Sequence, residues 1–187
     1  GFGGKEYLID ELLEKGCIFF GSQRVPSIIR LEKYGECVLL KQKNEFMKLR
    51  VIPSKYSEKV CEIMTSFIDI PCLPLNNYLA ITLSPSNPTM HPSRLYELFN
   101  DYVEGEKVYP RNPYFYEEWG TLASQTLLDL DDELTEIFNS LNYNNEFYEE
   151  DMEKIKKRYG ISIAEELSKK INTAPGFQGI DSPMVKV

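Results

Sequence analysis

The stretch "IPCLPLNNYL", residues 70–79, decides how the chain is read, because the sequence changes character across it. Its prolines punctuate the chain and interrupt any continuing helix or central strand. Before it, apolar residues recur in short strand-like runs between two helices. After it, the spacing is almost entirely helical. Upstream, "EYLIDELLEKG" predicts a helix with Leu8, Leu12 and Leu13 on one face and Gly16 as its stop. "CIFFG", "ECVLLKQ" and "FMKLRVI" are strand candidates, the last two joined by a polar "KN" region. "SKYSEKVCEIMTSFI" predicts a second helix, capped by Ser54, with Val60, Ile63, Met64 and Phe67 at helical spacing.

Downstream, only "YLAITLS" offers a strand-like run. "PSRLYELFNDYVE" predicts a helix with Pro92 in its first turn. "EEWGTLASQTLLDLDDELTEIFNSL" predicts a long one, with Leu127, Leu130, Leu134, Ile137, Phe138 and Leu141 on one stripe. "EEDMEKIKKRYG", ended by Gly160, and "SIAEELSKKIN", capped by Ser162, complete the set before an irregular tail. The expected fold is therefore mainly α. An all-helical domain over residues 73–187 follows an incomplete α/β segment over residues 1–72. Two or three strands are too few for an independent sheet, so this segment reads as the end of an α/β domain whose earlier strands precede Gly1. The opening "GFGG" is no phosphate loop, since no strand precedes it and its spacing is not GxGxxG.

Composition narrows the function. The chain has 187 residues, enough for one domain or two small ones, and 42% of them are hydrophobic, enough to build a core. No apolar run approaches the ~20 residues that span a membrane, and the amphipathic start is unlike a signal peptide, so a cytoplasmic protein is expected. The four cysteines, Cys17, Cys37, Cys61 and Cys72, lack metal-ligand spacing and read as buried free thiols, with no metal implied. The net charge of -8 is unevenly spread: residues 97–153 hold sixteen acids and two bases. That block repels a phosphate backbone, which argues against nucleic acid as a partner, and reads as a solvated helical surface.

The only histidine, His91, lies between Pro88 and Pro92. It follows the α/β-to-helical transition, where a cleft is expected, and the prolines with Asn87 would fix its backbone. Imidazole so held is suited to general acid–base work near neutral pH. At this point "FGSQRVPSIIRLEKYG…VLLKQK", "LSPSNPTMHPSRLYELF", "NPYFYEEW" and "LDLDDEL" resemble the octopine/nopaline (opine) dehydrogenase family. The resemblance covers most of the chain, from the end of the nucleotide domain through the helical domain, and rests chiefly on Asn87, His91 and Pro92.

The resemblance implies an NAD(P)H-dependent reductive condensation of an amino acid with an α-keto acid. It implies His91 as the acid–base group and Asp181, in Asp181-Ser182-Pro183, as its carboxylate partner. Glu117 or Glu118 is next in line should Asp181 lie elsewhere. Asn87 and Arg94 are the expected substrate-binding residues. Arg94 sits one turn beyond His91 and suits a carboxylate, whereas Arg24 and Arg30 are expected at the surface. NAD or NADP is the implied cofactor, yet the absent GxGxxG leaves no cofactor-binding residue to name and predicts that this chain alone binds the dinucleotide poorly. The aromatic "NPYFYEEWG" is expected to pack in the core or at a homodimer interface. A rival reading is a non-catalytic helical dimerisation module in which His91 only packs. Relatives of 6-phosphogluconate or hydroxyacid dehydrogenases would need a lysine placed like His91, and none is present.

Overall fold

The computed structural model describes residues 9–84, 86–104, 106, 108–141 and 154–183. Leu8, the opening "GFGG" and the start of "EEDMEKIKKRYG" lie outside them. The chain divides into two compact units, residues 1–85 with 142–153 and residues 86–141 with 154–187, so residues 73–85 group with the first.

The first unit opens with α1 (Ile9–Glu14), which stops at Gly16 in a left-handed conformation (φ +78°). β1 (Phe19–Ser22) pairs antiparallel with β4 (Met47–Ile52), and β4 pairs parallel with β5 (Cys72–Pro74). The β4–β5 connection runs through α2 (Ser57–Ile68), which makes it a βαβ unit. β4 alternates strictly, burying Met47, Leu49 and Val51, as the period-2 pattern of "MKLRVI" requires. Its partners are β1 and β5 and not the strand that precedes it.

That preceding strand, β3 (Cys37–Lys43), forms a separate hairpin with β2 (Ser27–Lys33), turning at Gly35 with φ +73°. β2 has no counterpart among the sequence expectations. Its run "SIIRLEK" mixes charges with apolar residues, and the hairpin leaves both strands largely exposed, so no burial rhythm marks it.

Three further expectations are corrected here. Ser54 does not cap α2; it opens a 3-10 turn (Ser54–Tyr56), and the helix starts without a side-chain cap. The buried face of α2 is Cys61 with Met64 and Ile68, which leaves Ile63 exposed and Phe67 82% exposed. The strand sought in "YLAITLS" is the short helix α3 (Leu79–Thr82), fixed by Asn77 Oδ1 accepting the Ala80 amide (2.9 Å) and by Gln23 donating to the Ala80 carbonyl (2.7 Å). The strand lies instead in the proline-rich stretch. There the Pro71 carbonyl accepts from Met47, and Pro74 sits on β5, the edge strand of the sheet among the described residues, where its missing N–H is harmless.

The cysteines divide. Cys61 and Cys72 are buried, but Cys17 and Cys37 are exposed, against expectation. "CIFFG" and "ECVLLKQ" look apolar, yet these two residues start exposed segments. Burial, with Cys72 and Glu58 nearby, pushes the Cys61 thiol up to about 11.

The second unit is helical: α4 (Asn87–Phe99), α5 (Thr121–Leu141), α6 (Ile155–Tyr159) and α7 (Ala164–Asn172). α4 begins at Asn87, so Pro88 takes the first turn and Pro92 lies inside the helix. The buried stripe of α5 is rotated from the expected one. Ala123, Ser124, Leu127, Leu128, Asp131 and Phe138 face inward, while Ile137 and Leu141 are exposed. Ser162 does not cap α7, which starts after Ile163, whereas Gly160 (φ +65°) does end α6. The aromatic segment is spent on the core: Phe115 and Tyr116 are buried and Trp119 is 1% exposed, packed with Leu127, Leu167 and Ile171. Among the described residues, no helix is long and apolar enough to cross a membrane.

Two helix starts are capped by carboxylates from other helices. Glu97 of α4 accepts the Gly120 and Ala123 amides (2.9 and 3.2 Å) at the start of α5. Asp131 of α5, 5% exposed, accepts the Ile155 and Lys156 amides (2.7 and 3.2 Å) at the start of α6. Anionic oxygens are favoured there because first-turn N–H groups lack intrahelical partners and the helix dipole is positive.

Two outcomes are expected. Asp131→Ala orphans two amides and lowers stability by about 1–3 kcal/mol, read from the midpoint of denaturant unfolding; an unchanged midpoint would contradict the cap. In native protein at neutral pH, a thiol reagent should label exposed Cys17 fast and Cys37 more slowly, because its hydrogen bond to Glu32 raises the thiol pKa, with Cys61 and Cys72 reacting only on unfolding, as mass spectrometry of the labelled peptides would show.

Candidate active site

α4 carries the candidate residues. Asn87 begins the helix and is exposed, and His91 follows one turn later, also exposed. The ring of His91 does not hang free. Its Nε2 lies 3.0 Å from the Tyr116 hydroxyl, and it makes a T-shaped contact with the Phe115 ring (5.4 Å, 89°). This contact withdraws the ring partly from water, which holds its pKa below the ordinary imidazole value by disfavouring the charged form. Among the described residues nothing engages Nδ1.

Tyr116 is a rigid support. Its ring stacks on Phe177 (4.2 Å, 15°) and lies parallel to Trp119 (6.1 Å, 5°). Trp119 is held in turn, donating through Nε1 to Ser124 Oγ (3.0 Å) while its carbonyl accepts from Ser168 (2.6 Å).

The tail folds onto this segment. Asp181 forms an isolated antiparallel bridge with Tyr114, flanked by Phe115 N–H to the Ile180 carbonyl (2.7 Å) and Ser182 N–H to the Pro113 carbonyl (2.9 Å). The Asp181 side chain is exposed and its charge acts on Arg111. Among the described residues, no hydrogen bond or ion pair joins Asp181 to His91. The reserve candidates are also engaged elsewhere. Glu117 accepts the Gly179 amide (2.6 Å), and Glu118 accepts from Arg111 (2.8 Å) and the Tyr114 amide (2.7 Å). The Arg111 hydrogen bond holds the Glu118 carboxyl below its usual range.

Arg94 is 4% exposed and turned inward. It donates to Glu97 (2.5 Å) and to the Tyr114 carbonyl (3.2 Å). Arg30, in the hairpin, donates to the Ile29 carbonyl. The structure thus brings Asn87 and His91 onto one exposed helical surface, lays Arg94 into the core, and sets Asp181 in a backbone bridge with Tyr114. Sequence reasoning missed Tyr116 as the partner of His91. The two are 25 residues apart, and a tyrosine among aromatics carries no signal that separates a hydroxyl at work from a ring at rest.

The sequence model of the NAD/NADP octopine/nopaline dehydrogenase alpha-helical domain matches residues 74–186, and the chain belongs to this family. Among solved structures, it resembles octopine dehydrogenase with NADH and L-arginine (TM-score 0.69, 16% identity, 91% of this chain and 44% of that one). It also resembles octopine dehydrogenase with NADH and agmatine (TM-score 0.70, 16% identity, 91% and 44%) and with NADH and pyruvate (TM-score 0.67, 14% identity, 91% and 42%). The shared fold is established by this likeness. The chain spans less than half the length of those proteins. No curated protein matches it in sequence.

Because His91 is the only histidine, its titration can be followed without assignment. The midpoint in the folded protein should lie below 6.5 and return to the ordinary value in urea. The unfolded chain then binds the proton more readily, so stability should fall as pH drops below 6.5 towards the folded midpoint. A folded midpoint at or above 6.5 would contradict the site as described.

Proposed function

We propose that this chain provides the substrate-binding and acid–base part of an opine dehydrogenase-like oxidoreductase. The reaction joins the amine of an amino acid to an α-keto acid with loss of water. It then reduces the resulting imine with a hydride from NADH or NADPH and a proton. The observation that carries this reading is His91: the one imidazole of the chain, on the exposed start of α4, with one nitrogen held by Tyr116 and the other unengaged among the described residues. Family membership points the same way. The substrate-bearing octopine dehydrogenase structures hold L-arginine, agmatine or pyruvate together with NADH, which fits an amino acid and an α-keto acid here.

In this reading His91 gives a proton to the departing hydroxyl or the imine nitrogen and takes one back in the reverse direction. A pKa below the ordinary value keeps the ring mostly neutral at pH 7, ready to accept a proton and quick to surrender it. Asn87, one turn away, is placed to meet a substrate carboxylate through its amide. Arg94 supports α4 from inside, and among the described residues Asp181 makes no hydrogen bond or ion pair with His91, so this reading gives neither a step. The turn from β4 into α2, residues 53–56, holds no glycine and starts its helix without a cap, and hydride transfer is assigned to no residue of this chain.

In the intact protein, with NADH or NADPH, an α-keto acid and an amino acid, His91→Ala should lower kcat about 10²–10⁴-fold. Dinucleotide affinity should change little. Full turnover in His91→Ala would overturn the acid–base role. Failure of the wild-type protein to oxidise the reduced dinucleotide with any amino acid and keto acid pair would overturn the reaction class.

A further inference from the structure

We propose that Tyr116 is a positioning residue for His91, its hydroxyl accepting the Nε2–H so that Nδ1 is the nitrogen that exchanges a proton with substrate. This rests on the reading of His91 as the acid–base group and adds which nitrogen works and what makes it so.

The geometry supplies the contact. Nε2 and the Tyr116 oxygen are 3.0 Å apart, and the tyrosine is buried, stacked on Phe177 and parallel to Trp119. A hydroxyl at that distance either donates to a bare Nε2 or accepts from a protonated one. The two arrangements have opposite consequences. If the hydroxyl donated, the neutral ring would carry its proton on Nδ1, and the outward nitrogen would have no lone pair with which to take another. If the hydroxyl accepts, Nδ1 points outward bare in the neutral ring and protonated in the charged one, while the Nε2–H bond persists through both. Only the second lets the exposed nitrogen cycle its proton without rearranging the buried support. The T-shaped contact with Phe115 restricts the rotation of the imidazole, so the choice of nitrogen is kept. A carboxylate commonly performs this orienting task, but Glu117 is committed to Gly179 and Glu118 to Arg111 and Tyr114, and among the described residues no hydrogen bond or ion pair joins Asp181 to His91.

The test is nitrogen NMR on the ¹⁵N-labelled chain at a pH well above the His91 titration midpoint. Long-range proton–nitrogen correlations report which ring nitrogen bears the proton. Wild-type protein should show one tautomer, protonated at Nε2. Tyr116→Phe keeps the stacked ring and removes only the oxygen. It should mix the two tautomers and shift the His91 midpoint downward, because the charged ring loses its acceptor. In the intact protein it should lower kcat by a smaller factor than His91→Ala does. A wild-type ring protonated at Nδ1, or the same tautomer mixture with and without the hydroxyl, would overturn the assignment. The wild-type spectrum can do so alone, even should the variant fold poorly. Full activity in His91→Ala would instead remove the acid–base reading and leave the tautomer assignment standing.

Discussion

The helical unit depends on one carboxylate. Glu97, near the end of α4, takes the Gly120 and Ala123 amides at the start of α5 and the Arg94 guanidinium of its own helix. A charge so withdrawn from water persists only when its lone pairs are met, and here two backbone donors and one cation meet them. Gly120 is part of the device, because a Cβ there would stand 2.1 Å from Glu97 Oε1. Arg94 extends the join by donating to the Tyr114 carbonyl, two residues before Tyr116. The segment that supports His91 is therefore tied to the helix that bears it, one turn beyond His91. The geometry of the candidate site is a consequence of this knot.

The same chemistry recurs at Asp131, where a buried carboxylate starts α6. Between them, Glu97, Asp131, Glu117 and Glu118 all accept backbone amides. The acidic block of residues 97–153 is thus not only a solvated surface. Several of its members satisfy donors that helix starts and loops leave unpaired.

The sequence shows its helices where apolar periodicity coincides with burial, as in α7, and its strands where alternation is strict, as in β4; in α5 it shows the helix but not which face is buried. It conceals β2, whose hairpin buries little and so needs no pattern. It misplaces the inward face of α2, because Ile63 and Phe67 are as apolar as Met64 and Ile68 yet are exposed. At the site, Asn87 and His91 are legible from their prolines and the family motif. The inward turn of Arg94 is not, since an arginine at that spacing suits a substrate carboxylate as well as a buried one. The pairing of His91 with Tyr116 is set by the loop between α4 and α5, which no local pattern encodes.

The central claim is that the open face of His91 meets substrate. It is tested most directly by titrating the intact protein, with NADH present, with an α-keto acid and an amino acid while following the single imidazole by NMR. The account expects saturable shifts of the His91 ring signals and a change in its titration midpoint on binding. Saturable binding of both substrates, seen by calorimetry, that leaves the His91 signals and midpoint unmoved would contradict it.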